Sequence, residues 1–124
     1  MEDKPTEQGF DIGSYDVVIS TNALHATSDI RNTIHNIKSV MKRNGIVLLN
    51  EMCSNTIHAH VTFGLLDGWW LYQDEGLRIP GSPGLTGESW IHILSEFGFT
   101  HASLPDPNAK CLGQQVIVAQ AMVF

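Results

Sequence analysis

The stretch Tyr15-Asp-Val-Val-Ile-Ser-Thr-Asn-Ala-Leu-His25, taken together with Gly45-Ile-Val-Leu-Leu-Asn-Glu51, decides the fold of this chain. Residues 15–20 form a short, nearly continuous apolar run, the pattern of a strand buried on both faces, and residues 46–50 repeat it. Between the two, residues 29–43 place Ile30, Ile34, Ile37 and Met41 on one helical face. Ser28 or Asp29 can cap that helix, Lys42 and Arg43 suit its carboxyl end, and Asn44-Gly45 stops it. Strand, crossover helix and strand make a βαβ unit, whose two parallel strands are expected as neighbours roughly 4.8 Å apart. Ligands of open α/β sheets bind outside the carboxyl ends of the strands. His25 and Glu51 both fall there. An imidazole with a carboxylate beside it can act as an oriented general base. Spacing alone leaves a second possibility open, a loop histidine and a strand-end glutamate with no relation to each other.

Outward from this unit the pattern is less regular. Residues 1–14 are polar and turn-rich, and a flexible, frayed lead-in is expected. His58-Ala-His60 and Phe63-Gly-Leu-Leu-Asp-Gly-Trp-Trp-Leu-Tyr72 suggest a short apolar helix over 60–72, followed by a Gly- and Pro-rich loop up to Gly84. Thr86 can cap a helix over 88–97 with Trp90, Ile91, Leu94 and Phe97 facing inward, and Gly98 ends it. Residues 99–104 and 114–122 are expected as strands joined by a turn region, an antiparallel hairpin ending the sheet.

Composition bounds what such a sheet can serve. At 124 residues, 43% hydrophobic and 16% charged, the chain has the size of one globular domain. Its net charge is −6, and the seven Lys and Arg form no cluster beyond Lys42-Arg43, which argues against a nucleic-acid partner. No apolar run approaches the roughly 20 residues of a membrane span, and the polar start MEDKPTEQG does not resemble a signal peptide. Cys53 and Cys111 lie far apart, as free thiols in a reducing cytoplasm would. Cys53 has nothing basic beside it and is expected to be inert. His58 and His60 stand at i and i+2 without a third or fourth ligand nearby, so no metal is expected. His35 and His92 suit surface or boundary positions, and Arg78 with Glu75 suits an exposed pair of little energetic weight.

Several pieces carry a family likeness. Gln8-Gly9-Phe10, the run from Gly13 through Asn22, Leu24 and His25 to Thr27, Asn44-Gly45 through Glu51, Phe63 through Gly68-Trp69-Trp70, Trp90 and Phe97-Gly98-Phe99 occur in one order. Together they resemble the carbon-methyltransferase domains embedded in polyketide synthases, members of the class I methyltransferase superfamily. The resemblance covers nearly the whole chain. Leu24-His-Ala-Thr27 and Gly68-Trp-Trp70 are its more specific elements.

The resemblance implies an α/β fold, the C-terminal half of a Rossmann-like methyltransferase sheet: strands four to seven, the last pair antiparallel, with flanking helices. Residues 1–124 would then be a single partial domain. It implies that the complete domain methylates the α-carbon of a β-ketoacyl chain carried on acyl carrier protein phosphopantetheine, with S-adenosylmethionine as donor and other polyketide synthase domains as neighbours in a cytoplasmic megasynthase. It makes His25 the base and Glu51 its orienting partner, and gives Asn22 a place at the cofactor and substrate pocket, with a turn-forming Asn as the other reading. Trp69, Trp70 and Tyr72 can form an apolar wall for the acyl chain or pantetheine arm, or pack as a helix. The glycine-rich loop of the family's first half has no counterpart here, so this chain by itself is not expected to bind the cofactor tightly or to turn over. A non-catalytic remnant or scaffold is the alternative, and a methyltransferase of small hydroxyl or amine substrates a third. A half-sheet leaves the edge of its first strand open, which invites self-association unless the lead-in covers it.

Overall fold

The computed structural model describes residues 1–122. Its strands are β1 (Tyr15–Thr21), β2 (Met41–Met52), β3 (Phe99–Ser103) and β4 (Gln114–Ala121), and its helices α1 (Ile30–Val40), α2 (Ile57–Thr62) and α3 (Gly87–Glu96). They form one sheet in the order β1-β2-β4-β3. β1 runs parallel to β2, with Val18 opposite Val47 and Ser20 opposite Leu49. β4 returns antiparallel between β2 and β3. This is the four-strand arrangement expected of the second half of a class I methyltransferase sheet.

Strand periodicity sorts the side chains by face. Val47 and Leu49 of β2 and Ile117 and Ala119 of β4 meet Ile30, Ile34 and Ile37 of α1 and Trp90, Ile93 and Leu94 of α3 in one core. Asp29 starts α1 by accepting from the Asn32 amide, and Thr86 starts α3 by accepting from that of Ser89. The alternate residues Val17, Ile19 and Ile46 point the other way and stay exposed. β1 is therefore not buried on both faces as its apolar run suggests. Ile19 is 68% exposed, because the described helices cover one side of the sheet only.

Three further expectations need correction. α1 stops at Val40 rather than Arg43, since Met41 already pairs with Tyr15 and residues 41–43 join β2. Gly45 sits where a Cβ would stand 3.1 Å from the Asp16 carbonyl, and Asn44 before it has φ +62°, so the strand needs these two residues to reach β1. Within the lead-in, Asn36 Nδ2 donates to the Met1 carbonyl at 2.7 Å, and the Gly13 and Ser14 amides donate to the carbonyls of Ser39 and Val40 at 3.0 and 2.8 Å. Those last two bonds satisfy the carboxyl end of α1. The helix expected over 60–72 breaks into α2 and 3-10 turns at Phe63–Leu65 and Asp67–Trp70, with Leu66 extended between them. In α3, Ile93 takes the fully buried position, while Ile91 and Phe97 are only partly covered.

Candidate active site

The carboxyl end of β1 is turned sharply by Asn22, whose φ of +47° lies in the left-handed region that Asn tolerates. Its amide donates to the Asn50 carbonyl at 2.7 Å, and its side-chain oxygen accepts from the Met52 amide at 3.0 Å. Asn22 thus staples the ends of β1 and β2 together. One 3-10 turn, Leu24–Ala26, follows and presents His25 back toward β2.

There the imidazole Nδ1 lies 2.7 Å from Glu51 Oε2, with both side chains buried. Glu51 Oε1 accepts from the Leu24 amide at 3.0 Å and from that of Ala23 at 3.3 Å. Three donors converge on one carboxylate, which is what a buried negative charge requires. A carboxylate only accepts, so Nδ1 is the donor in this contact, and in the neutral imidazole Nε2 then carries the lone pair. Among the described residues none hydrogen-bonds Nε2.

The turn is held from its other side by Arg78. Nη1 donates to the carbonyls of His25 and Pro83 at 2.6 and 2.7 Å, Nη2 to that of Thr27 at 2.7 Å, and Nε to Asp74 Oδ1 at 2.7 Å. The other Asp74 oxygen accepts from the Ile30 amide at the start of α1. An exposed Arg78–Glu75 pair is expected from the sequence. The actual partner is Asp74, and the guanidinium is buried. Its other acceptors are backbone carbonyls, two of them about fifty residues away in the chain, which leave no mark in a sequence.

His25 and Asn22 open onto a cavity of about 960 Å³, whose wall includes Met52, Thr56, Phe63 and Trp69. Trp69 stacks on Phe63 at 6.0 Å between ring centroids and meets His25 edge-on at 5.9 Å. Trp70 and Tyr72, expected in this wall, are not part of it. A 3-10 turn rotates successive residues by about 120°, so Trp69 is buried while Trp70 is 49% exposed and donates its Nε1 to the Gly64 carbonyl. Tyr72 lies against the Arg78 guanidinium, 5.2 Å from its ring centroid. No signal short of the turn geometry separates the two indoles.

The cavity is lined from both sides, by residues 22–28 and by residues 56–73. The Asn22 side-chain oxygen already accepts from the Met52 amide, and a Cβ on Gly84 or Gly87 would meet Met52 or Leu104, so these glycines serve packing. Among the described residues no group of three or more His, Cys, Asp or Glu is placed to hold a metal ion. His58 borders the cavity. His60 places its ring nitrogens 3.0 and 3.1 Å from the carbonyls of Thr56 and Gly81, and two accepting carbonyls raise its pKa. Burial, with the Glu51 charge adding to it, pushes the Cys53 thiol up to about 12, so this cysteine stays protonated. Among the described residues no helix is long and apolar enough to cross a membrane.

Comparison with known proteins gives this geometry a family. The family described as methyltransferase domain matches residues 2–49. Polyketide synthase PksR of Bacillus subtilis (strain 168) is 49% identical over 121 residues, covering 98% of this chain and 5% of that protein. The crystal structure of the CurJ carbon methyltransferase is 40% identical with a TM-score of 0.89, over 98% of this chain and 33% of that one. The chain is part of a polyketide synthase methyltransferase domain. The trans-methyltransferase CalH, solved in complex with SAH, is similar at 29% identity and a TM-score of 0.78, over 97% of this methyltransferase segment and 34% of CalH. The segment thus spans about a third of the solved methyltransferases it matches and a small part of the curated synthase.

Proposed function

We propose that in the complete domain this segment supplies the base for methylation of the α-carbon of a β-ketoacyl thioester, carried on the phosphopantetheine arm of an acyl carrier protein. The observation that carries this reading is the buried 2.7 Å contact between His25 Nδ1 and Glu51 at the cavity wall. The α-hydrogen of such a substrate is acidified by the carbonyls on either side of it. Nε2 of His25 takes that proton, and the electron pair of the C–H bond passes into the enolate. Glu51 keeps the Nδ1 proton in place and stabilises the imidazolium that forms. The imidazolium then returns its proton to solvent. S-adenosylmethionine would supply the methyl group to the enolate carbon, in keeping with the family and with the SAH held by CalH.

The remaining wall suits the acyl chain. Trp69 and Phe63 present stacked apolar rings beside the imidazole, and Asn22 fixes the strand ends beneath it. The carrier protein and the neighbouring synthase domains, within a cytoplasmic megasynthase, are the partners this reading requires. The segment alone is proposed to be inactive, because it spans about a third of the solved methyltransferases it matches.

The test is the His25→Ala variant of the complete domain, assayed with a β-ketoacyl carrier protein. A positioned base contributes about 10²- to 10⁴-fold, so turnover should fall by that factor while affinity for S-adenosylmethionine is unchanged. Undiminished turnover with unchanged cofactor affinity would overturn the assignment.

A further inference from the structure

The Arg78 cluster does more than neutralise a charge. The guanidinium directs bonds to four acceptors at 2.6 to 2.7 Å: the carbonyls of His25, Thr27 and Pro83, and Asp74 Oδ1. Its side chain is fully buried. The turn that carries His25 is therefore gripped from two directions. Glu51 takes its N–H groups, at Ala23 and Leu24, together with the imidazole Nδ1. Arg78 takes its carbonyls, at His25 and Thr27. Asp74 passes the restraint on to the first turn of α1 through the Ile30 amide at 2.8 Å, and Tyr72 closes over the guanidinium. The turn is a single 3-10 turn without a side-chain cap at its start; Thr27 Oγ1 donates to the Leu24 carbonyl at 2.7 Å and Leu24 packs in the core, while the carbonyls of His25 and Thr27 are taken by Arg78. Arginine suits the task because its planar fork can serve several carbonyls at once in fixed directions, which an ammonium on a flexible stem cannot.

We propose that Arg78 is a positioning residue for the base. It sets the backbone of the His25 turn so that the imidazole meets Glu51 through Nδ1 and presents Nε2 to the cavity. This rests on His25 acting as the base. It makes the irregular loop between α2 and α3 part of the catalytic apparatus, although Arg78 touches no reacting atom. Misplacing a reacting group by about 1 Å can cost on the order of 10²-fold in rate, and loss of the fork should act at that scale.

The experiment uses the complete domain with Arg78→Lys and Arg78→Met, and His25→Ala in parallel. The readouts are kcat, KM for the β-ketoacyl carrier protein, and the downfield proton NMR signal of the His25 Nδ1–H···Glu51 bond, followed with ¹⁵N-labelled histidine. Arg78→Lys keeps the charge and loses the fork. We expect kcat to fall by about 10- to 10²-fold with KM unchanged, and the Nδ1 proton signal to broaden or shift. Wild-type kcat, or an unaltered Nδ1 signal, in folded Arg78→Lys overturns the proposal. Should Arg78→Met fail to fold, Arg78→Lys decides alone. If His25→Ala keeps full turnover, the base assignment fails instead, and the Nδ1 signal of Arg78→Lys still reports whether Arg78 orients the ring.

Discussion

The turn over residues 23–27 and the segment over residues 57–71 border the same cavity and are held in opposite ways. The turn has almost no regular structure, yet Glu51 grips its amides and Arg78 its carbonyls, both from buried positions. The second segment starts as a capped helix, with Thr56 accepting from the Ala59 amide, but α2 buries none of its residues. Ile57 is 84% exposed and Leu65 81%. Secondary structure is thus a poor guide to which wall is rigid. Buried polar ties fix the wall that holds the base, while the regular but bare segment is the one expected to move, since local opening follows low burial.

Breaking the ties of the rigid wall should have the largest effects. Beyond the His25→Ala loss, Glu51→Gln tests whether the carboxylate sets the tautomer. An amide can donate to Nδ1 and so leave the proton on Nε2, where it blocks proton abstraction. Turnover of the complete domain should fall by about 10²-fold or more, with the fold retained by circular dichroism. Wild-type kcat in Glu51→Gln would mean the carboxylate is there for packing alone.

The two indoles sharpen the comparison at the boundary between the walls. Trp69→Ala removes a buried ring from Phe63 and His25 and should cost about 3 kcal/mol in urea unfolding. Trp70→Ala removes a half-exposed ring and should cost under about 1 kcal/mol. Equal losses would show that the 3-10 turn does not separate them. Hydrogen exchange gives a smaller contrast in the same sense: the Ala23 and Leu24 amides, held by Glu51, should exchange more slowly than those of residues 59–66. Faster exchange at Leu24 would reverse the assignment of rigid and mobile walls.

The smallest effect is a pH dependence at His60. Its pKa is raised from 6.5 by the carbonyls of Thr56 and Gly81, so the protonated form binds them better. That contribution is complete below the unfolded value and is lost as pH rises through the raised one. Protection of the α2 amides, corrected for intrinsic rates, should therefore be greater in mildly acidic than in mildly alkaline buffer. The dependence should vanish in His60→Gln.

Much of the rigid wall was legible in the residues, and little of what steadies it. The β1–α1–β2 unit follows from apolar periodicity and from the Asp29 cap, and it delivers His25 and Glu51 to adjacent strand ends because parallel neighbours share a carboxyl edge. The end of α1 is ambiguous in the sequence because Lys42 and Arg43 suit a helix terminus as well as an exposed strand, and only the pairing of Met41 with Tyr15 chooses between them. β1 reads as doubly buried because its sequence suits a covered strand, whereas the described helices lie on one side. Residues 60–72 carry enough apolar side chains for a helix, and Gly64 and Asp67-Gly68 break it into turns that set Trp69 and Trp70 on different sides. Arg78 reads as solvated in the sequence because its carbonyl acceptors, at 25, 27 and 83, have no side-chain identity to recognise.

The most direct measurement is deuterium uptake at the α-carbon of a β-ketoacyl carrier protein, catalysed by the complete domain without any methyl donor. Proton abstraction by His25 predicts rapid exchange with the wild-type domain and background exchange with His25→Ala. Exchange at the wild-type rate in His25→Ala would contradict the account, and the buried pair with Glu51 would then be a structural contact only.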